Sequence, residues 1–154
     1  MADLQFISFN LNGGKFGVDI LSVREILRMQ PITRLPNVPD FIEGVINLRG
    51  EIIPIIDLRK RLGMPPKKAD KKSRIVVIEL DDKKVGRIVD MVSRVIRVDE
   101  NSVEPPPEAM KLDPRYITGI AKLDGDFMVV LDLQELIFTT DVIPVEGQGT
   151  KVEG

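Results

Sequence analysis

The stretch Pro39-Asp40-Phe41-Ile42-Glu43-Gly44-Val45-Ile46-Asn47-Leu48-Arg49-Gly50-Glu51-Ile52-Ile53-Pro54-Ile55-Ile56-Asp57-Leu58 recurs 75 residues later. Its second copy is Pro114-Arg115-Tyr116-Ile117-Thr118-Gly119-Ile120-Ala121-Lys122-Leu123-Asp124-Gly125-Asp126-Phe127-Met128-Val129-Val130-Leu131-Asp132-Leu133. The proline, the two glycines, one isoleucine, one leucine and the closing Asp-Leu pair are identical, and most other positions are conservative. A second match, at a shift of 69, sets Phe6 on Ile75, Gly17 on Gly86, Val23 on Val92 and Ile26 on Val95. The chain therefore reads as two related halves, which an internal repeat makes the first fact to establish. Residues 4–66 form the first half and 73–138 the second. Each is small to stand alone, so the two are expected to pack together.

Within each half the pattern is strands and turns. Residues 6–11 and 15–20 flank Asn12-Gly13-Gly14 as one hairpin, and residues 45–48 and 51–57 flank Arg49-Gly50 as another. Residues 23–29 fit either a helix or a strand, and Pro31 and Pro36 end them in both cases. Residues 58–62 read as a short helical turn stopped by Gly63, with the recurring Asp57 as its N-cap. The second half repeats this plan, with Asp81-Asp82 and Asp124-Gly125 as turns and a last helical turn at 133–138. Five short strands per half predict a mainly β protein of two small closed barrels. Whether strands cross between the halves stays open. Residues 63–73 and 102–114 read as connectors, and 139–154 as a flexible tail.

Composition narrows the function. The 154 residues carry 22 Lys and Arg against 24 Asp and Glu, a net charge of −2, so no global field draws the chain to nucleic acid or an anionic membrane. With no His and no Cys, there are no thiol nucleophiles, disulfides, Cys/His zinc sites or phospho-accepting histidines. The surplus of Ile and Val over Ala favours strands. The amino terminus lacks a basic flank and an apolar core, so no signal peptide is visible, and apolar runs such as Ile52-Ile53-Pro54-Ile55-Ile56 are far short of a membrane span. A cytoplasmic location is expected. Initiating Met1 and the loose tail suggest a complete, stand-alone chain.

Positions where the halves disagree are candidates for added function. At the hairpin tip the second half has Asp124-Gly125, a favoured turn pair, whereas the first has Arg49-Gly50, and Arg gains nothing from a positive φ. Arg49 is either a binding residue or a tolerated surface residue. Glu25 stands opposite Arg94 within Val23-Arg24-Glu25-Ile26-Leu27. On pattern alone, a solvated Glu25 beside core Val23 and Ile26 is the stronger reading.

The run Phe41-Ile42-Glu43-Gly44-Val45-Ile46-Asn47-Leu48-Arg49-Gly50-Glu51-Ile52-Ile53-Pro54-Ile55-Ile56-Asp57-Leu58-Arg59 closely resembles the signature segment of the CheW family of bacterial chemotaxis coupling proteins. Phe16-Gly17-Val18-Asp19-Ile20 and the segment from Val23 to Leu27 resemble that family's first hairpin and its next segment. The resemblance extends over about residues 4–138. It implies two SH3-like five-stranded barrels and a non-enzymatic adaptor without cofactor or metal. It also implies two partners, the regulatory domain of the histidine kinase CheA and the cytoplasmic tip of a methyl-accepting chemoreceptor. The membrane would be reached only indirectly, through receptor arrays. Glu25 and Arg49 match the family's coupling positions, with Val23, Ile26, Gly44, Leu48 and Gly50 supporting or bordering them. An apolar groove between the barrels would receive the receptor tip. Ile32, Val38 and Phe41 would lie near the kinase contact.

Rival readings are weaker. The acidic pairs Asp81-Asp82 and Asp124/Asp126 could suggest a metal or acid–base site, but both fall at turns, where Asp is common. A small barrel can bind nucleic acid, and residues 67–74 hold five cations, yet there is no Trp and one Tyr for stacking. A CheV-type module, or a fragment of the kinase's regulatory domain, would carry the same barrels within a longer chain.

Overall fold

A computed structural model describes residues 3–108 and 116–132. The protein is mainly β, and its strands begin at the turns. Asn12-Gly13 (φ 51° and 80°), Arg49-Gly50 (51° and 86°) and Asp81-Asp82 (52° and 66°) each place two consecutive residues at positive φ. Such turns match the twist of the strands they join. They connect β1 (Asp3–Leu11) to β2 (Gly14–Asp19), β4 (Ile42–Leu48) to β5 (Glu51–Asp57), and β6 (Arg74–Leu80) to β7 (Lys83–Val89). Asp124-Gly125 joins β10 (Ile117–Leu123) to β11 (Asp126–Leu131), with Gly125 at φ 74°.

The ambiguous segment after the first hairpin is a strand, β3 (Val23–Arg28), and its counterpart is β8 (Met91–Asp99). The stretch read as a connector from residue 102 holds a two-residue strand, β9 (Val103–Glu104). The helical turn after Asp57 is α1 (Leu58–Arg61), capped by the Asp57 side chain, which accepts from the Lys60 N–H. The corresponding turn at 133–138, and the tail at 139–154, lie outside the described residues.

Neither sheet is built from one half of the sequence. One has the order β8-β1-β2-β11-β10-β9, the other β3-β6-β7-β5-β4. The opening hairpin of each half thus joins the remaining strands of the other half. Each hairpin is joined antiparallel on one side, β1 to β8 and β6 to β3, and parallel on the other: Phe16 and Gly17 of β2 meet Val129 and Val130 of β11, and Gly86 of β7 meets Ile55 of β5. Between β8 and β9 the chain passes from one edge of its sheet to the other, a connectivity consistent with a closed barrel.

This exchange explains why β1 and β6 lack simple alternation. Ile7, Phe9 and Leu11 on one face of β1 join Val76 and Ile78 of β6 in a core shared by both sheets. The opposite faces serve separate interiors, Phe6 with Ile96, Ala121 and Met128 in one sheet, Ile75 and Val77 with Ile46 and Ile53 in the other. A strand buried on both faces reads as a continuous apolar run, as Ile75-Val76-Val77-Ile78 does.

The duplicated glycines mark equivalent bulges. The ladder slips between Ile42 and Gly44 in β4 and between Ile117 and Gly119 in β10. At Gly44 (φ +147°) a Cβ would stand 2.0 Å from the Thr33 carbonyl oxygen, and at Gly119 one would stand 2.6 Å from that of Glu104. A neighbouring segment presses on each bulge, the bridge residue Thr33 at Gly44 and β9 at Gly119. At Gly44 it is held by reciprocal Thr33–Val45 hydrogen bonds of 2.9 and 2.8 Å.

Candidate functional site

The two coupling candidates named from sequence come together. Arg49 donates from Nη2 to Oε1 of Glu25 at 2.5 Å, linking the β4–β5 tip to β3. The Arg49 side chain is 69% exposed and that of Glu25 28%, so the pair lies in reach of a partner with its carboxylate half sheltered. Arg49 holds φ 51°, the conformation its side chain does nothing to favour, at a local cost of about 1–2 kcal/mol. Asn47 fixes the tip by accepting the Gly50 N–H at 2.9 Å on its Oδ1. At the equivalent tip of the other half, Gly125 alone takes a positive φ. Among the described residues at positive φ, Arg49 is the one that is neither Gly, Asn nor Asp.

The neighbouring candidates divide into support and surface. Val23 packs on the shared core, Leu48 on the core of Ile46, Ile53 and Ile55, and Gly44 is buried at its bulge. Ile26 is exposed, and so is Ile52, at 60%, three residues beyond Arg49. Ile52 escaped notice in the sequence although a signal existed: Ile53 and Ile55 point inward, so Ile52 must point out. Ile26 leaves β3 on the face opposite Glu25, and Ile52 is the exposed aliphatic side chain of β5 nearest in sequence to Arg49.

Ile32, Val38 and Phe41 are half-buried, and Ile32 and Phe41 pack on different cores. Ile32 rests on the core of Ile46 and Ile53 and lines a cleft of about 390 Å³ with Met29, Arg34 and Lys60. Phe41 packs on the shared core beneath the Arg61 guanidinium, 4.7 Å from its ring centroid. A second cleft, of about 440 Å³, is walled by Leu4, Phe6, Val18, Leu21 and Leu131, with Glu79 of the other sheet at its side. It lies where the two sheets meet, and Leu21 on its rim is 90% exposed.

The halves also differ in sign. Glu25 and Arg49 correspond to Arg94 and Asp124, so both charges are reversed, and Arg94 and Asp124 line one cleft on the other sheet. Ion pairs at that cleft use different residues, Lys15 with Asp126 at 2.9 Å and Lys122 with Glu104 at 2.5 Å. Asp57 is an N-cap whose carboxyl pKa is pushed up, first by burial and further by the neighbouring Glu43. Among the described residues, no group of acidic side chains is arranged to hold a metal ion. No helix among them is long and apolar enough to cross a membrane.

Two interleaved sheets, with an ion-paired hairpin tip that holds an Arg at positive φ, make up a β-rich module. A family model described as the CheW-like domain matches residues 5–140. The chain belongs to the CheW family of chemotaxis scaffolding proteins. It is 36% identical to the chemotaxis protein CheW of Klebsiella aerogenes over 92% of this chain and 86% of that one. It is 37% identical to CheW of Bacillus subtilis over 86% of both. The crystal structure of the scaffolding protein TtCheW from Thermoanaerobacter tengcongensis superposes with a TM-score of 0.80 at 43% identity, covering 86% of each chain.

Proposed function

We propose that this chain is a non-enzymatic coupler that joins the cytoplasmic tip of methyl-accepting chemoreceptors to the regulatory domain of the histidine kinase CheA. It works in the cytoplasm and reaches membrane arrays through the receptors. Family membership supports the partners, and the Glu25–Arg49 pair is the observation that carries the site. An Arg presented at a hairpin tip can exchange a solvent-exposed pairing for a partner carboxylate, while the exposed Ile26 and Ile52 add apolar surface on β3 and β5. The cleft of Leu4, Phe6, Val18 and Leu21 offers an apolar seat for a receptor helix. Ile32, Val38 and Phe41 border the kinase contact, and Gly44, Leu48, Gly50 and Val23 hold the coupling surface in shape.

Arg49→Ala and Glu25→Ala are each expected to lower capture of the kinase or the receptor fragment about tenfold, or roughly 1.4 kcal/mol, as for the minority of interface residues whose truncation costs more than about 1 kcal/mol. Stability should change little, because an exposed pair contributes about 0–1 kcal/mol. A pull-down of purified partners, paired with thermal melts, reads both quantities. Undiminished capture by both variants would remove the site.

A further inference from the structure

The duplication places Phe41 and Tyr116 at equivalent positions, each just before the bulged strand of its sheet. Their backbones do the same work: Phe41 O accepts from Asp57 N at 2.7 Å, and Tyr116 O from Asp132 N at 2.8 Å. Between the two rings lies one guanidinium. The Arg61 carbon is 4.7 Å from the Phe41 centroid and 4.8 Å from that of Tyr116, and Arg61 Nη2 donates to the Tyr116 hydroxyl. A planar, delocalised cation can stack on two aromatic faces at once, and the attraction strengthens where water is excluded. Tyr116 is buried and Phe41 half-buried. A cation held between two equivalent rings can come from only one half, and the sequence reflects this: position 61 is Arg, whereas position 136 is Leu.

Arg61 belongs to α1, which follows β5, and Tyr116 immediately precedes β10 of the other sheet. The contact therefore spans the two sheets. It also lies close to the apolar cleft, whose wall includes Thr118, two residues after Tyr116, and Asp132, bonded to the Tyr116 carbonyl. We propose that Arg61 is a positioning residue, a clasp that fixes the angle between the two sheets and with it the width of the Leu4–Phe6–Val18–Leu21 cleft. Its effect on receptor binding rests on the reading of that cleft as the receptor seat; its effect on the sheets does not.

Residual dipolar couplings of backbone amides, fitted separately for the two sheets, report their relative orientation. Arg61→Ala and Tyr116→Leu are expected to change that orientation, while Tyr116→Phe, which keeps the ring, retains it. Arg61→Lys keeps the charge and loses the plane, and is expected to behave as Arg61→Ala; it carries the test should Arg61→Ala fail to fold. Affinity for a receptor-tip fragment should fall about tenfold in the variants that reorient, within the usual range for coupling between sites. An orientation unchanged in Arg61→Lys and Tyr116→Leu would overturn the clasp whatever happens to binding. Reoriented sheets in a protein whose wild type binds no receptor fragment would uphold the clasp and refute the receptor seat instead. Affinity that falls equally in Tyr116→Phe would overturn the stacking role.

Discussion

Gly44→Val is expected to destabilise the protein by more than about 3 kcal/mol, the sum of overpacking and a strained backbone. The added Cβ would meet the Thr33 oxygen at 2.0 Å and the Thr33 carbonyl carbon at 2.7 Å, at a φ of +147°. Both are backbone atoms, so no rotamer change relieves the clash, and the Thr33–Val45 bridge must open. That loss is a large share of the roughly 5–15 kcal/mol by which domains are stable. Gly50→Ala is the internal comparison. Gly50 has φ +86° and open space around it, so it incurs only the conformational cost, about 1–2 kcal/mol. Urea denaturation of both variants decides the point, and equal losses would contradict the close approach at the bulge.

Asp90→Ala is expected to cost about 3–5 kcal/mol, because it strands a sheltered guanidinium. Asp90 receives two bonds from Arg59, Nε at 2.8 Å and Nη2 at 2.6 Å, and a third from the Asn12 N–H at 2.9 Å. Their side chains are only 10% and 17% exposed, Arg59 and Asp90 respectively. Three elements thus meet at one carboxylate: the β1–β2 turn, α1 and the β7–β8 junction. The double variant Arg59→Met/Asp90→Leu should lose less than Asp90→Ala, since it leaves no buried charge unpaired.

The same residue sets an acid limb. The Arg59 hydrogen bonds, aided by the Asn12 N–H, hold the Asp90 carboxyl below the usual carboxylate pKa against the opposing effect of burial. Below the usual value the unfolded chain binds a proton that the folded chain resists. The stability from Asp90 is therefore complete above that value and is lost as pH falls through its lowered folded pKa. Asp57 has the opposite sign. Its raised pKa means that the folded chain holds the proton longer, so stability declines as pH rises from the usual value through the raised one. Asp90→Asn should therefore flatten the loss of stability on acidification and leave the Asp57 contribution in place.

Much of this was legible in the 75-residue repeat. A duplicated glycine has to answer a backbone requirement in both halves, and Gly44 and Gly119 do so at equivalent bulges. Asp57 before a short basic turn is an N-cap, and Asn12-Gly13 and Asp81-Asp82 are turns. The mismatch of Arg49 with its turn, joined to the family resemblance, led to a residue that is strained and ion-paired. The exchange of opening hairpins was not legible, because a hairpin has the same alternation whichever sheet it joins. Its destination depends on parallel contacts such as Gly17 with Val130, more than a hundred residues apart. Burial of Arg87 was hidden for a related reason. It shares the inward face of β7 with Val85 and Val89, and donates from Nη1 to the Val85 carbonyl at 3.1 Å. Burial draws its pKa down to about 9, which leaves it charged at neutral pH. An Arg in a strand pattern carries no mark of such a site. The Arg61 clasp likewise depends on two rings that only the paired sheets bring to one guanidinium.

The central claim is that this chain bridges two partners. Sedimentation of vesicles bearing a chemoreceptor, with CheA in solution, tests it most directly. The account predicts that CheA pellets with the receptor when the wild-type chain is added, and far less when the chain carries Arg49→Ala. Pelleting of CheA that is the same with and without the chain would contradict it.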